Sequence, residues 1–140
     1  MKTNILMRFV NKGVHYWPGV EQKYPELARL HPHTFVIVAQ FEETKSREIE
    51  FVRFRRLVWE SLAAEFGERL WNFGPLSCED IAKFVAYKIR QLLREDRRVI
   101  VTVWEDDEGC AGSVTYEEGE KIEGVPRPKR DKRPTNTLVA

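Results

Sequence analysis

Cysteine, histidine and any excess of one charge are scarce in this chain of 140 residues, and each scarcity narrows what it can be. Two cysteines, Cys78 and Cys110, make no disulfide framework, and nothing points to an oxidising compartment. A formal net charge of +1 argues against a nucleic-acid surface spread over the whole protein. The longest apolar runs fall far short of a bilayer span and no signal-peptide pattern opens the sequence, so a cytoplasmic protein with no membrane partner is expected. What is present is ordinary. Hydrophobic residues at 42% and charged residues at 32% describe a soluble globular chain, of a length suited to one domain with a sizeable core.

Histidine is scarce but placed. The chain has three, His15, His31 and His33. His31 and His33 sit two apart in Arg29-Leu30-His31-Pro32-His33-Thr34-Phe35, at the mouth of the apolar run Phe35-Val36-Ile37-Val38-Ala39. On a strand, residues i and i+2 project to the same face, so both imidazoles can converge on one point. A third imidazole from a neighbouring strand would complete a three-nitrogen site with one open position, the pattern of catalytic rather than structural zinc. Spacing leaves a second reading open, in which His31 and His33 are surface residues at a strand start and His15 is unrelated to them.

Asn4 to Val10 reads as a strand that Gly13 ends or bulges just before His15. The connection through Trp17-Pro18-Gly19 and Tyr24-Pro25 has a length that suits a functional loop better than a tight hairpin. A second strand is expected from Thr34 to Phe41, bounded by the polar run Glu42 to Ser46. Phe51, Phe54, Val58, Leu62 and Phe66 recur at helical steps and predict a helix that stops at Gly67. Trp71 to Leu76 reads as a turn with exposed-looking aromatics. Ser77 reads as the N-cap of a second helix, with Asp80 completing a capping box and Ile81, Val85, Ile89 and Leu92 as its apolar face. Val99 to Trp104 and Ala111 to Tyr116 read as a hairpin across an acidic turn. This order predicts an α+β fold, ββααββ, with a four-stranded antiparallel sheet and two helices on one face. The domain is expected over residues 1–119. Residues 120–140 form a basic, Pro-rich tail, expected to be mobile or ordered only against another subunit or partner.

Five patterns stand in order along the chain: His15-x-Trp17-Pro18, Arg29-Leu30-His31-x-His33-x-Phe35, Ile49-Glu50-Phe51-x-x-Phe54-Arg55, Ser77-Cys78-Glu79-Asp80-Ile81-Ala82-Lys83, and Val101-x-Val103-x-Glu105. Together, over residues 5–118, the sequence resembles the 6-pyruvoyl-tetrahydropterin synthase family, and within it the 6-carboxy-tetrahydropterin synthase branch of queuosine and deazaguanine biosynthesis. The resemblance implies a tunnelling fold that oligomerises into a barrel. It implies a zinc ion held by His15, His31 and His33, acting as a Lewis acid on the side-chain oxygens of a reduced pterin. It implies that Glu105 anchors the pterin ring, a role suited to a carboxylate accepting two parallel hydrogen bonds from an amino-pyrimidinone edge. Ser77 and Glu79 match substrate-binding positions near the ring. Without the resemblance, Glu105 reads as an acid opening a hairpin turn; helix capping by Ser77 and Glu79 is compatible with either role. Trimeric rings or a hexamer with sites at subunit interfaces are also implied, and the open edges of the strand pairs would invite such association. Glu50 stands where the family usually carries aspartate and is expected to be structural.

The sequence also departs from that family. Its catalytic cysteine lies four residues before the first histidine of the pair, where this chain has Leu27, a side chain with no proton to move. Its aspartate-histidine pair has no counterpart in Glu65 to Phe73, and Pro32 replaces a glycine. The catalytic residue is therefore left unknown. Cys78, at a helix N-terminus that would favour a thiolate, is a candidate, and a half-buried packing role is its plainer reading. Lys23, Tyr24 and Glu26 are in reach of the site by sequence, and Cys110, in the acidic turn, is expected to be inert. Two functions follow: a zinc-dependent lyase or isomerase acting on dihydroneopterin triphosphate or a related reduced pterin, and a non-catalytic zinc-containing module that binds a pterin or purine-like ring or serves as a structural subunit. A third, an accessory role in which the basic tail touches nucleic acid, is the poorer reading of a tail better explained as a solvated end.

Overall fold

The computed structural model describes residues 1–106 and 108–128; Asp107 and residues 129–140, with most of the basic tail, lie outside the described residues. Strands β1 (Asn4–His15) and β2 (His31–Glu42) pair antiparallel along their whole length, from Asn4 opposite Glu42 to His15 opposite His31. Their residues alternate. Ile5, Met7 and Phe9, with Phe35, Ile37, Ala39 and Phe41, are buried on one face, while Leu6 and Val10 point the other way and stay exposed. β1 runs through Gly13 without ending there. β2 begins at His31, earlier than Thr34, because pairing with β1 extends past the apolar run. Pro32 is tolerated there because the second neighbour of β2 starts only at Phe35.

Helix α1 (Phe51–Phe66) buries Phe54, Val58, Leu62 and Phe66 and ends at Gly67. Glu50 is its N-cap, accepting from the Arg53 N–H at 2.6 Å, a structural role. Helix α2 (Cys78–Leu93) starts from the expected capping box of Ser77 and Asp80. Strands β4 (Val99–Glu105) and β5 (Ala111–Tyr116) pair antiparallel, and β4 also pairs with β2. α1 packs on β1 and α2 on β4 and β5, both covering the buried face of the sheet.

The sheet corrects the expectation of four antiparallel strands. A further strand, β3 (Trp71–Gly74), runs parallel to β1, so among the described residues the sheet has five strands, is mixed, and has the order β3-β1-β2-β4-β5. The expected turn with exposed aromatics is this strand, and Trp71 and Phe73 are 0% exposed. Four residues beside Gly74 and Pro75 are too few for alternation to outweigh the turn signals. Burial of two rings decides the matter, Phe73 lying 4.8 Å from Phe35 and 4.7 Å from Phe66 between centroids.

Past β5 the chain returns across the helices. Ile122 and Val125 pack on the core, and Arg127 bonds Glu65 at 2.9 Å. Arg90 of α2 is buried and donates to three main-chain carbonyls, those of Arg97 at 2.9 Å, Glu117 at 2.7 Å and Glu120. Among the described residues no helix is long and apolar enough to cross a membrane.

Candidate metal centre and ring pocket

Where the apolar layer ends, the buried face of β1 and β2 continues with imidazoles. His15 follows the parity of Phe9 on β1, and His31 and His33 follow that of Phe35 on β2. Register sets His15 opposite His31 and Gly13 opposite His33. A glycine is required there, since a Cβ would lie 2.7 Å from the Phe35 ring and 2.9 Å from the Trp71 carbonyl oxygen. The three rings converge. One ligand-capable atom from each lies within 4.8 Å of the other two, and ring centroids are 4.7, 4.9 and 5.2 Å apart.

Each ring is held from behind at Nδ1. His15 Nδ1 is 2.9 Å from the Leu76 carbonyl oxygen, His31 Nδ1 is 2.9 Å from that of Arg29, and His33 Nδ1 meets the Asp106 carboxylate. These partners can only accept, so they assign the proton to Nδ1 and leave Nε2 for the cluster. Metal-ligating histidines are typically braced in this way. His33 Nε2 is buried and, among the described residues, has no hydrogen-bond partner. Three imidazoles aimed at one point, with His33 Nε2 lacking a hydrogen-bond partner, fit a divalent transition-metal ion.

Glu105 closes the cluster from the end of β4. One carboxylate oxygen is 3.0 Å from His15 Nε2 and the other 3.5 Å from His33 Nε2. Burial opposes a charged His15, but its contacts with Glu105 and the Leu76 carbonyl outweigh this and raise its pKa. His15, with burial opposing and the charge of His33 adding, holds Glu105 below the ordinary carboxylate value. Cys78 donates to Glu105 at 3.4 Å. Burial first, then Glu105 and Glu79, push its thiol far up, so the thiolate expected from a helix N-terminus is outweighed.

A cavity of about 460 Å³ opens beside the histidines, walled by Tyr16, Trp17, Leu27, Cys78, Glu79 and Glu105 among others. Ser77 lines it as well, while its Oγ accepts from the Asp80 N–H at 3.1 Å, so capping and a place at the cavity coexist. Glu79 is exposed at the wall and lies close over Gly112, where a Cβ would come within 2.7 Å of its carboxylate. Cys110 is exposed at the same wall. Lys23, Tyr24 and Glu26 are not among the wall residues; Tyr24 stacks instead on Trp17, centroids 5.9 Å apart. A second cavity, of about 500 Å³ at the C-terminal end of α2, contains none of the histidines.

Sequence reasoning missed the braces. The Leu76 and Arg29 carbonyls carry no side-chain signature. Asp106 stands among Glu105, Asp107 and Glu108, where nothing distinguishes it from its neighbours.

No protein-family model and no curated protein matches the chain by sequence. Solved structures do resemble it. A catalytic-residue variant of 6-pyruvoyltetrahydropterin synthase from Plasmodium vivax aligns with a TM-score of 0.59 at 11% identity, over 84% of this chain and 99% of that one. The 6-pyruvoyl tetrahydropterin synthase of Caenorhabditis elegans gives 0.56 at 12%, over 85% and 97%. An uncharacterized protein from Wolinella succinogenes gives 0.57 at 14%, over 84% and 99%. At such identities the likeness is one of fold: the chain shares the tunnelling fold of 6-pyruvoyltetrahydropterin synthase.

Proposed function

We propose that the chain is a zinc-dependent, pterin-synthase-like protein acting on dihydroneopterin triphosphate or a related reduced pterin, in the manner of a 6-carboxy-tetrahydropterin synthase of the queuosine and deazaguanine pathway. The observation that carries this is the convergence of three imidazoles whose Nδ1 atoms are all committed to acceptors behind them. His15, His31 and His33 would hold the metal, and zinc is favoured among imidazole-bound metals by the sequence resemblance to pterin synthases. When bound, zinc supplies a Lewis acid towards substrate oxygens.

The remaining steps belong to the chain. The cavity is of small-molecule size, and Glu105 faces it with a carboxylate able to accept from an amino-pyrimidinone edge. Cys78, kept as a thiol, donates to Glu105 and orients it. Ser77 and Glu79 border the ring position, and Trp17 offers an aromatic face at its edge. The exposed Leu6 and Val10, on the open face of the sheet, support assembly into homo-oligomeric rings, trimeric or hexameric, with sites at subunit interfaces. The cytoplasm is the compartment proposed.

A specific observation favours a second reading. Leu27 lines the cavity and cannot transfer a proton, and the Cys78 thiol is held protonated. A zinc-containing module that binds a pterin or purine-like ring without turning it over accounts for both.

Metal content of the purified protein, measured by mass spectrometry beside a His33→Ala control, tests the centre. About one zinc per chain, lost in the control, is the expected result. Consumption of dihydroneopterin triphosphate by the loaded protein then supports the enzyme, and binding of a reduced pterin without consumption supports the module. A folded chain that takes up no zinc overturns both.

A further inference from the structure

We propose that Asp106 is a positioning residue of the metal centre, whose carboxylate fixes His33 as the Nδ1–H tautomer and turns Nε2 into the cluster. The inference rests on the metal reading of His15, His31 and His33.

His15 and His31 are braced by main-chain carbonyls, which are positioned once the backbone folds. His33 is braced by a side chain. It stands opposite Gly13, so no side chain from the paired strand sits across from it. Asp106 supplies the constraint and is itself fixed on three sides. Its Oδ2 meets His33 Nδ1, its Oδ1 accepts from the Thr34 N–H at 2.6 Å, and its own N–H donates to the Thr34 carbonyl at 2.8 Å. The residue takes a left-handed backbone conformation, φ 53°, directly after β4 ends at Glu105. That turn points the carboxylate back to β2 instead of onward along the acidic loop. A carboxylate behind an imidazole fixes its tautomer and strengthens its other nitrogen as a donor to metal. Asp106 thereby couples the β4–β5 loop to the β2 ligand pair, across 73 positions of sequence.

Asp106→Asn isolates the carboxylate. Asparagine tolerates a left-handed conformation and can still accept from Thr34, so the turn is kept while the charge is lost. The full chain would be loaded with zinc in competition with a chromophoric chelator, and its thermal unfolding recorded. The expected result is a folded variant whose zinc affinity falls by about 10- to 100-fold. A second readout does not depend on metal: nitrogen-15 shifts of the metal-free chain should show His33 protonated at Nδ1 in the wild type and a mixture of tautomers in the variant. Equal zinc affinity in variant and wild type overturns the inference while leaving the metal reading intact. A wild-type His33 with a bare Nδ1 overturns it as well. A wild-type chain that takes up no zinc overturns the metal reading and, with it, the role of Asp106 in that centre.

Discussion

Gly13 shows how little room there is behind the histidines. A methyl group there meets the Phe35 ring at 2.7 Å and the Trp71 carbonyl oxygen at 2.9 Å, a ring held by the core and a backbone atom, neither of which yields freely. Gly13→Ala is expected to cost about 1–3 kcal/mol in urea denaturation, the usual penalty for overpacking. It should also weaken zinc uptake, because the Phe35 ring it would displace lies 5.7 Å from that of His33 and 5.2 Å from that of His15 between centroids. Unchanged stability would mean that Phe35 can rotate away. The three histidines themselves were legible in the sequence, because histidine is rare there and two of them share strand parity. Their braces were not, since a carbonyl belongs to every residue and Asp106 owes its role to a left-handed turn that an acidic run does not announce.

Among the elements that carry none of the three histidines, α2 reaches the cluster through its first turn. Ser77 and Asp80 satisfy each other's backbone N–H groups at 3.1 Å, and the next residue, Cys78, reaches Glu105. Ser77→Ala removes one half of that exchange and is expected to lower stability by about 1 kcal/mol, read as a drop in thermal midpoint. If Ser77 also borders a bound ring, the same variant should lose pterin affinity beyond the loss seen with Asp80→Ala, which weakens the box alone. Both helices and the β4–β5 hairpin were legible because their periodicity runs long enough to be read. β3 was not, because its pairing rests on what Trp71 and Phe73 pack against, and those partners are distant in sequence.

Across the whole molecule, the end of the sheet remote from the histidines is fastened by charge. Glu48, in the β2–α1 connection, accepts from Arg97 at 2.5 Å and from Thr44, while Arg97 also reaches Glu95 and the Glu42 carbonyl. Arg97 is the main cause, with Thr44 assisting against burial, that brings the Glu48 pKa from 4.5 down to about 2. A depressed folded-state value means that this contribution to stability is fully present above pH 4.5 and is lost as the pH falls towards 2. Urea midpoints of the wild type and Glu48→Gln should therefore differ at neutral pH and converge across that interval. Parallel curves would show that Glu48 is not the group responsible. The order of helices and most strands was legible at this scale too. The mixed sheet was not, because it depends on β3.

Arg90 has a consequence for how the chain comes apart. Its guanidinium is shielded from water, and two of its three acceptors among the described residues belong to residues 117–120, just past β5. If that segment peeled away alone, a buried cation would keep the Arg97 carbonyl and lose its other two acceptors, a state costlier than the loss of ordinary surface contacts. Residues 117–120 are thus denied the independent fraying usual of a segment that follows an edge strand, and open in one cooperative unit with α2.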